Sequence, residues 1–256
     1  KPVLNIDLKG MVPLSADWHP QDQYLAMTGQ DTSIYAFETT NARHVLGHYL
    51  QSTSPIEDVA FAPDGRLMAV GNEEGVVAMY SSNGSTFVTI YEMVLTGATG
   101  SPHTIVWSPN GVYAIIGNAD TLAIVGKSTA PQRPGSKVPP KTSGFGVRKV
   151  VRDMGTVANA VAIHSQSRYV AVSGTDTRIL DASDDFCCVK RWDQGYVLAS
   201  AWSPDGIWLA TIGKSQRLTI YDTSSELVAE WRLMFNLQAE KTGLALSWGP
   251  AVVQGL

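Results

Sequence analysis

Five times along this chain an apolar run ends in an aromatic residue, one further residue and a proline. The anchors are Trp18-His19-Pro20, Phe61-Ala62-Pro63, Trp107-Ser108-Pro109, Trp202-Ser203-Pro204 and Trp248-Gly249-Pro250. A degenerate copy, Ile163-His164-Ser165, stands in the one wide gap, so that successive anchors lie 43, 46, 56, 39 and 46 residues apart. A repeat of this length constrains the fold more than any other feature. One supersecondary unit must recur and bury its apolar faces against its own copies.

Each copy spells the same unit. Turn residues follow the anchor, and Asp64-Gly65, Asn110-Gly111 and Asp205-Gly206 between apolar runs are strong hairpin signals. A second apolar run then ends at Gly29, Gly71, Gly117, Gly174 or Gly213. A third closes on Phe37, Tyr80 and Tyr221, each 17 residues after its anchor proline. A fourth, more polar strand is expected near 43–48, 86–92, 146–151, 186–192 and 227–233. The least degenerate copy is 59–80, VAFAPDGRLMAVGNEEGVVAMY. Four short strands in about 40–45 residues is the period of a propeller blade. The expected fold is therefore all-β, a β-propeller of four-stranded antiparallel blades in a single domain over 1–256. Five full repeats are visible, with the start of a sixth at 244–253.

The repeats resemble those of the WD-repeat β-propeller family over nearly the whole chain. The matching features are the Ser-Pro-Asp-Gly-like anchors, Gly47-His48 ahead of the second repeat, Ser173-Gly174-Thr175-Asp176 in the fourth, and Tyr221-Asp222 where the family places Trp-Asp. The resemblance implies a buried, hydrogen-bonded set of His, Ser/Thr, Asp and Trp that ties the strands of a blade together. On that basis His48, Ser173, Asp176, Tyr221 and Asp222 are the blade-tying residues, although no single repeat holds all four types. It also implies seven blades in the complete chain. Residues 1–8 alternate as an outer strand would, and the chain is expected to continue past Leu256.

The 56-residue spacing reflects an insertion at 127–144, rich in Pro, Ser, Gly and Lys and without apolar periodicity. Such composition favours extended, solvated backbone. Net charge is −4, unevenly spread. Residues 127–152 hold seven cations, Lys127, Arg133, Lys137, Lys141, Arg148, Lys149 and Arg152, and no acid, whereas the remainder holds 12 basic against 23 acidic residues. A basic arm on an acidic body is read as the partner-binding segment, toward an acidic protein surface, an anionic lipid or RNA phosphates. Phe145 is the one aromatic available for base stacking there, which weighs against RNA.

Motifs for catalysis are weak. Gly126-Lys127-Ser128 and Gly213-Lys214-Ser215 spell the end of a phosphate loop, but Thr121 and Trp208 stand where its first glycine is needed, so both read as turns or strand ends. The histidines (His19, His44, His48, His103, His164) are scattered and lack metal-ligand spacing, so no metal and no cofactor is expected. Asp31, Glu74, Asp120 and Asp176 recur at strand turns, where carboxylates accept backbone hydrogen bonds. The anchor tryptophans read as packing residues between sheets. Adjacent Cys187 and Cys188 point to opposite faces of a strand and read as reduced thiols, which suits an intracellular, cytoplasmic setting and is equally compatible with a nucleus or organelle interior. No apolar run reaches the 18 or so residues of a spanning helix. The expected function is a non-catalytic protein-interaction scaffold, a subunit of a larger multiprotein assembly. The alternatives are a nucleic-acid- or phosphate-binding module using 127–152, and a propeller enzyme with an axial site.

Overall fold

Alternating apolar residues and Gly-containing turns condense here into antiparallel sheets, as pairing of short two-faced strands requires. The computed structural model describes residues 12–38, 52, 54–82, 87–95, 102–118, 121–127, 145–152, 158–238 and 245–248. Strands β1 (Pro13–Trp18), β2 (Tyr24–Gly29) and β3 (Ile34–Glu38) form a three-stranded sheet. Four-stranded sheets follow. They comprise β4 (Ile56–Phe61), β5 (Leu67–Asn72), β6 (Val76–Ser82) and β7 (Phe87–Val94), then β8 (Pro102–Trp107), β9 (Tyr113–Asn118), β10 (Thr121–Lys127) and β11 (Phe145–Val151). The last two are β12 (Ala160–Ile163), β13 (Tyr169–Ser173), β14 (Thr177–Asp181) and β15 (Cys187–Trp192), and β16 (Val197–Trp202), β17 (Trp208–Gly213), β18 (Arg217–Asp222) and β19 (Arg232–Gln238). In every sheet sequential strands are neighbours, the order of a propeller blade. Of the sixth repeat only 245–248 is described, and of the first blade's expected fourth strand, 43–48, nothing is.

The chain falls into two compact units, 1–107 with 111–116 and 123–150, and 151–256 with 108–110 and 117–122. In the first, the middle strands supply the core. Met79, Ala114, Ile116, Ala123 and Val125 are inaccessible and pack with Trp107, Tyr91 and Phe145, while a second cluster gathers Ala26, Ile34, Ile56, Val59, Phe61 and Met68. In the second unit Ala171, Ile179 and Leu209 pack with Tyr169, Trp202, Tyr221 and Trp231.

Bulges recur at matching places. The innermost pairs shift register at Pro13/Ser15, Ile56/Asp58 and Val197/Ala199, and the outermost at Met79/Tyr80, Ile179/Leu180 and Ile220/Tyr221. One extra residue at each site bends and twists the strand.

Three expectations need correction. The last strand begins at Arg232, well after the expected 227. The residues 228–230 form a 3-10 turn in which Glu230 N–H donates to Leu227 O and Trp231 N–H to Val228 O. Trp231 is thereby driven into the core, where its ring lies 4.9 Å edge-on from Tyr169. Lys127 closes β10 and does not begin the insertion. Trp18, read as a packing residue, is 55% exposed. Trp107 and Trp202 are buried as expected.

Candidate functional site

The second residue of the anchor proves to be a clasp in two repeats. His19 and His164 each accept a backbone N–H at Nδ1, from Gln21 and Gln166, at 3.2 Å. That leaves the proton on Nε2, which reaches the carbonyl of Gly65 (3.0 Å) and Gly206 (3.1 Å) in the turn of the following blade. Both glycines have positive φ, +70° and +77°. A Cβ on either would run into the imidazole ring, so a glycine is required for backbone conformation and for close approach alike. Burial pushes the His164 pKa below its ordinary value, against the opposing Gly206 bond. These histidines are structural clasps and not free bases.

Between the last two blades of the second unit lies a polar node centred on Gln194. Its Nε2 donates to Thr177 Oγ1 (2.6 Å), and its Oε1 accepts from Tyr221 OH (2.6 Å) and Thr211 Oγ1 (3.0 Å). Thr177 in turn meets Ser173 Oγ at 3.1 Å, the two residues being cross-strand partners at the end of β13–β14. Burial raises the Tyr221 phenol to about 12, so it keeps its proton and donates it to the glutamine. Trp192 stacks on the same tyrosine ring at 4.0 Å. Gln194 carries both an acceptor and a donor, as a neutral histidine does. The sequence expectation rests on Gly-His pairs and does not single out this glutamine. The available signal was Gln194-Gly195 just ahead of β16.

Asp176 is 1% exposed and is shared by Arg178 Nε (3.1 Å) and Arg191 Nε (2.5 Å), cross-strand neighbours on β14 and β15. A buried carboxylate between two cations cancels what would otherwise be a like-charge pair. Asp222 accepts from Ser224 N–H (3.0 Å) and Oγ (2.6 Å), bonds that hold its carboxyl below the usual range, with Arg232 at 3.8 Å. His48 lies outside the described residues. The turn acids prove unlike one another. Asp31 accepts the Tyr35 hydroxyl, Glu74 is exposed, Asp176 is buried between arginines, and Asp120 lies outside the described residues.

In the first unit two carboxylates staple inner strands. Asp17 accepts the Phe61 N–H (2.7 Å), while Asp58 accepts Ser15 Oγ (2.6 Å), Val59 N–H (2.9 Å) and Ile105 N–H (2.6 Å), bridging β1, β4 and β8. Burial nonetheless raises Asp58 to about 6, with repulsion from Asp17 adding to it.

Of the basic segment, Arg133, Lys137 and Lys141 lie outside the described residues, and only the backbone of Lys127 is described. Arg148 and Lys149 sit on β11, with Arg152 just after it. Arg148 is exposed and its Cδ lies over Gly126, and Lys149 and Arg152 already take part in interactions. Both glycines of the phosphate-loop look-alikes are packing glycines. A Cβ on Gly126 would meet Val112 O, and one on Gly213 would meet Tyr196 O. Among the described residues no group of three His, Cys, Asp or Glu could hold a metal, and no helix is long and apolar enough to cross a membrane.

Comparison with known proteins agrees with this architecture. A family model for the anaphase-promoting complex subunit 4 WD40 domain matches residues 16–110. Minichromosome loss protein 1 of Schizosaccharomyces pombe is 24% identical over 236 residues, 90% of this chain and 26% of that protein. The serine-threonine kinase receptor-associated protein of Homo sapiens is 34% identical over 68 residues, 27% of this chain and 19% of that one. The chain thus spans about a quarter or less of the length of these curated relatives. A chain in the crystal structure of the mitotic checkpoint complex superposes with a TM-score of 0.75 at 16% identity, covering 98% of this chain and 75% of that one.

Proposed function

We propose that this chain, a WD-repeat β-propeller, is a non-catalytic scaffold that holds other proteins in a larger assembly. One observation carries the reading. Of the fourteen exposed large apolar residues described, eight stand on the outermost strands of their sheets: Val88, Val94, Val147, Val189, Leu233, Met234, Phe235 and Leu237. His19, His164, Tyr221 and Asp58 are meanwhile engaged in clasps and staples within each unit. A rigid interior with apolar side chains displayed on outer strands suits partner binding more than chemistry. The similarity to a subunit of one complex and to a chain found in another supports the same reading.

The test is affinity purification and mass spectrometry of the full-length protein, wild type beside a Phe235→Asp/Leu237→Asp variant. These two residues lie beyond the β19 bulge, opposite Ile220 and Leu218, so their side chains share one face, and both are more than half exposed. The expected outcome is a reproducible partner set of which a defined part disappears in the variant while its unfolding curve is unchanged. An empty or identical partner set refutes the role of these outer strands.

A further inference from the structure

Between the last two blades of the second unit lies a cavity of about 590 Å³, within the usual range of about 300–1,000 Å³ for ligand sites. One wall is the β12–β13 turn with Arg168 and Tyr169, another the β16–β17 turn with Asp205 and Ile207, and the third the segment from Thr223 to Leu227. Tyr169 and Trp231 form an aromatic floor.

The walls are built rigidly. His164 and Thr223 both bond to Gly206 O, and Thr223 Oγ1 also reaches Ile207 O at 2.8 Å. Trp231 Nε1 donates to Ser225 O at 2.8 Å. From the neighbouring blade, Lys190 Nζ donates to two carbonyls of the 3-10 turn, Val228 (2.9 Å) and Ala229 (3.0 Å), and to that of Trp231 just after it (2.8 Å). A lysine inserted this way locks the third wall in place, so little ordering is needed on binding.

The chemistry of the rim is equally definite. Leu227 is 63% exposed and Ile207 37%, an unusual display of large apolar side chains at a cavity mouth. The cation of the lining, Arg168, is tied to Asp181 at 3.0 Å and lies 4.8 Å over the Tyr169 ring. Asp205 uses Oδ1 to accept from Ser203 Oγ and Ile207 N–H, which keeps it ionised and leaves Oδ2 outside those bonds. Glu226 is exposed and acts on Arg168 only through its charge. With Arg168 paired to Asp181, the rim carries the carboxylates of Asp205 and Glu226, neither in a salt bridge among the described residues, beside two apolar side chains.

We infer that this cleft binds an extended peptide segment of a protein partner, with an Arg or Lys against Asp205 and Glu226 and an apolar neighbour over Leu227 and Ile207. Opposite charges at the rim steer and select, and the aromatic floor supplies a desolvated seat. The inference rests on the scaffold reading and adds the partner's chemistry and its place on the fold.

The probe is a displayed library of random octapeptides panned on the whole protein, followed by fluorescence polarisation with the enriched peptide. Enrichment of sequences pairing a basic with an apolar residue is expected. Affinity should fall at least tenfold in Asp205→Asn/Glu226→Gln, weaken with added salt, and fall likewise in Leu227→Asp. The Phe235→Asp/Leu237→Asp variant should bind as wild type does. An asparagine in place of Asp205 keeps the Oδ1 acceptor of the turn, and Glu226 contributes charge alone, so the charge variant folds, which its unfolding curve confirms. Enrichment of acidic peptides, no enrichment, or equal binding by the charge variant overturns the inference. Should the cleft fail while the full-length protein still captures partners, the scaffold reading stands alone. Should peptides bind the cleft while no partners are recovered, the reverse holds.

Discussion

Replacing Gln194 by alanine removes three hydrogen bonds at one point, and the structure allows the loss to be worked out. Thr177 retains Ser173 as a partner at 3.1 Å and adds little. Tyr221 and Thr211 are buried, 4% and 1% exposed, and each would lose its contact with the glutamine oxygen. A buried donor left unmade costs about 1–3 kcal/mol, so with two of them Gln194→Ala should destabilise the protein by about 2–6 kcal/mol. Tyr221→Phe removes donor and demand together and should cost about 1 kcal/mol. In the double variant no phenol is left stranded, so the two effects should fall short of additivity by about 1–2 kcal/mol, as expected for contacting residues. Gln194→His, which offers an acceptor and a donor, should lie within about 1 kcal/mol of wild type. The assay is urea unfolding followed by tryptophan fluorescence, where Trp192, stacked on Tyr221, reports on the site. An alanine variant within about 0.5 kcal/mol of wild type, or strictly additive effects, would refute the claim that Gln194 ties the two blades.

Two further outcomes follow from buried groups. Asp58 is raised from about 3.8 unfolded to about 6 folded, so its contribution to the first unit is complete below about pH 4 and lost as pH rises through 6. By the relation of about 1.36 kcal/mol per pKa unit this amounts to at most about 3 kcal/mol. His164 is lowered, so the second unit is fully stable above the ordinary histidine value and weakens as pH falls. Hydrogen exchange corrected for intrinsic rate, read on β4 and on β13 between about pH 5 and 7.5, should show the two trends opposed, and Asp58→Asn should flatten the first; parallel trends would sink both assignments. Trp107 Nε1 donates to Ala60 O at 3.1 Å, whereas Trp202 Nε1 is buried with no hydrogen-bond partner among the described residues. Trp107→Phe should therefore cost about 1 kcal/mol more than Trp202→Phe in urea unfolding, and an equal or reversed order would count against it.

What could be read from the sequence was what repeats, and what could not was what substitutes. The anchors placed β2, β5, β9, β13 and β17 because strand, turn and strand recur at a fixed offset, and a fixed offset is a backbone property. Trp231 broke the last repeat because an apolar run gives the same letters whether it pairs as a strand or turns one aromatic ring inward. Trp248 repeats the Trp107 arrangement, its Nε1 reaching Ala201 O at 2.9 Å, and that regularity was legible from the anchor alone. Gln194 was illegible for a chemical reason. A bond of this kind is satisfied by any side chain with an acceptor at the right height, so one such residue type can be exchanged for another without trace in the spacing. Lys190 is harder still, since its partners are carbonyl oxygens, which every residue has, and nothing in the letters of 228–231 asks for a lysine on the neighbouring blade. The functional surface follows the same rule. Its residues come from three turns that are each conventional for their repeat, and only their convergence on one cavity gives Asp205, Glu226 and Leu227 a common purpose. Convergence between repeats is a tertiary property. In a protein built of degenerate copies, the scaffold is therefore written in what the copies share, and its partner specificity in side chains that acquire meaning only from the neighbouring copy.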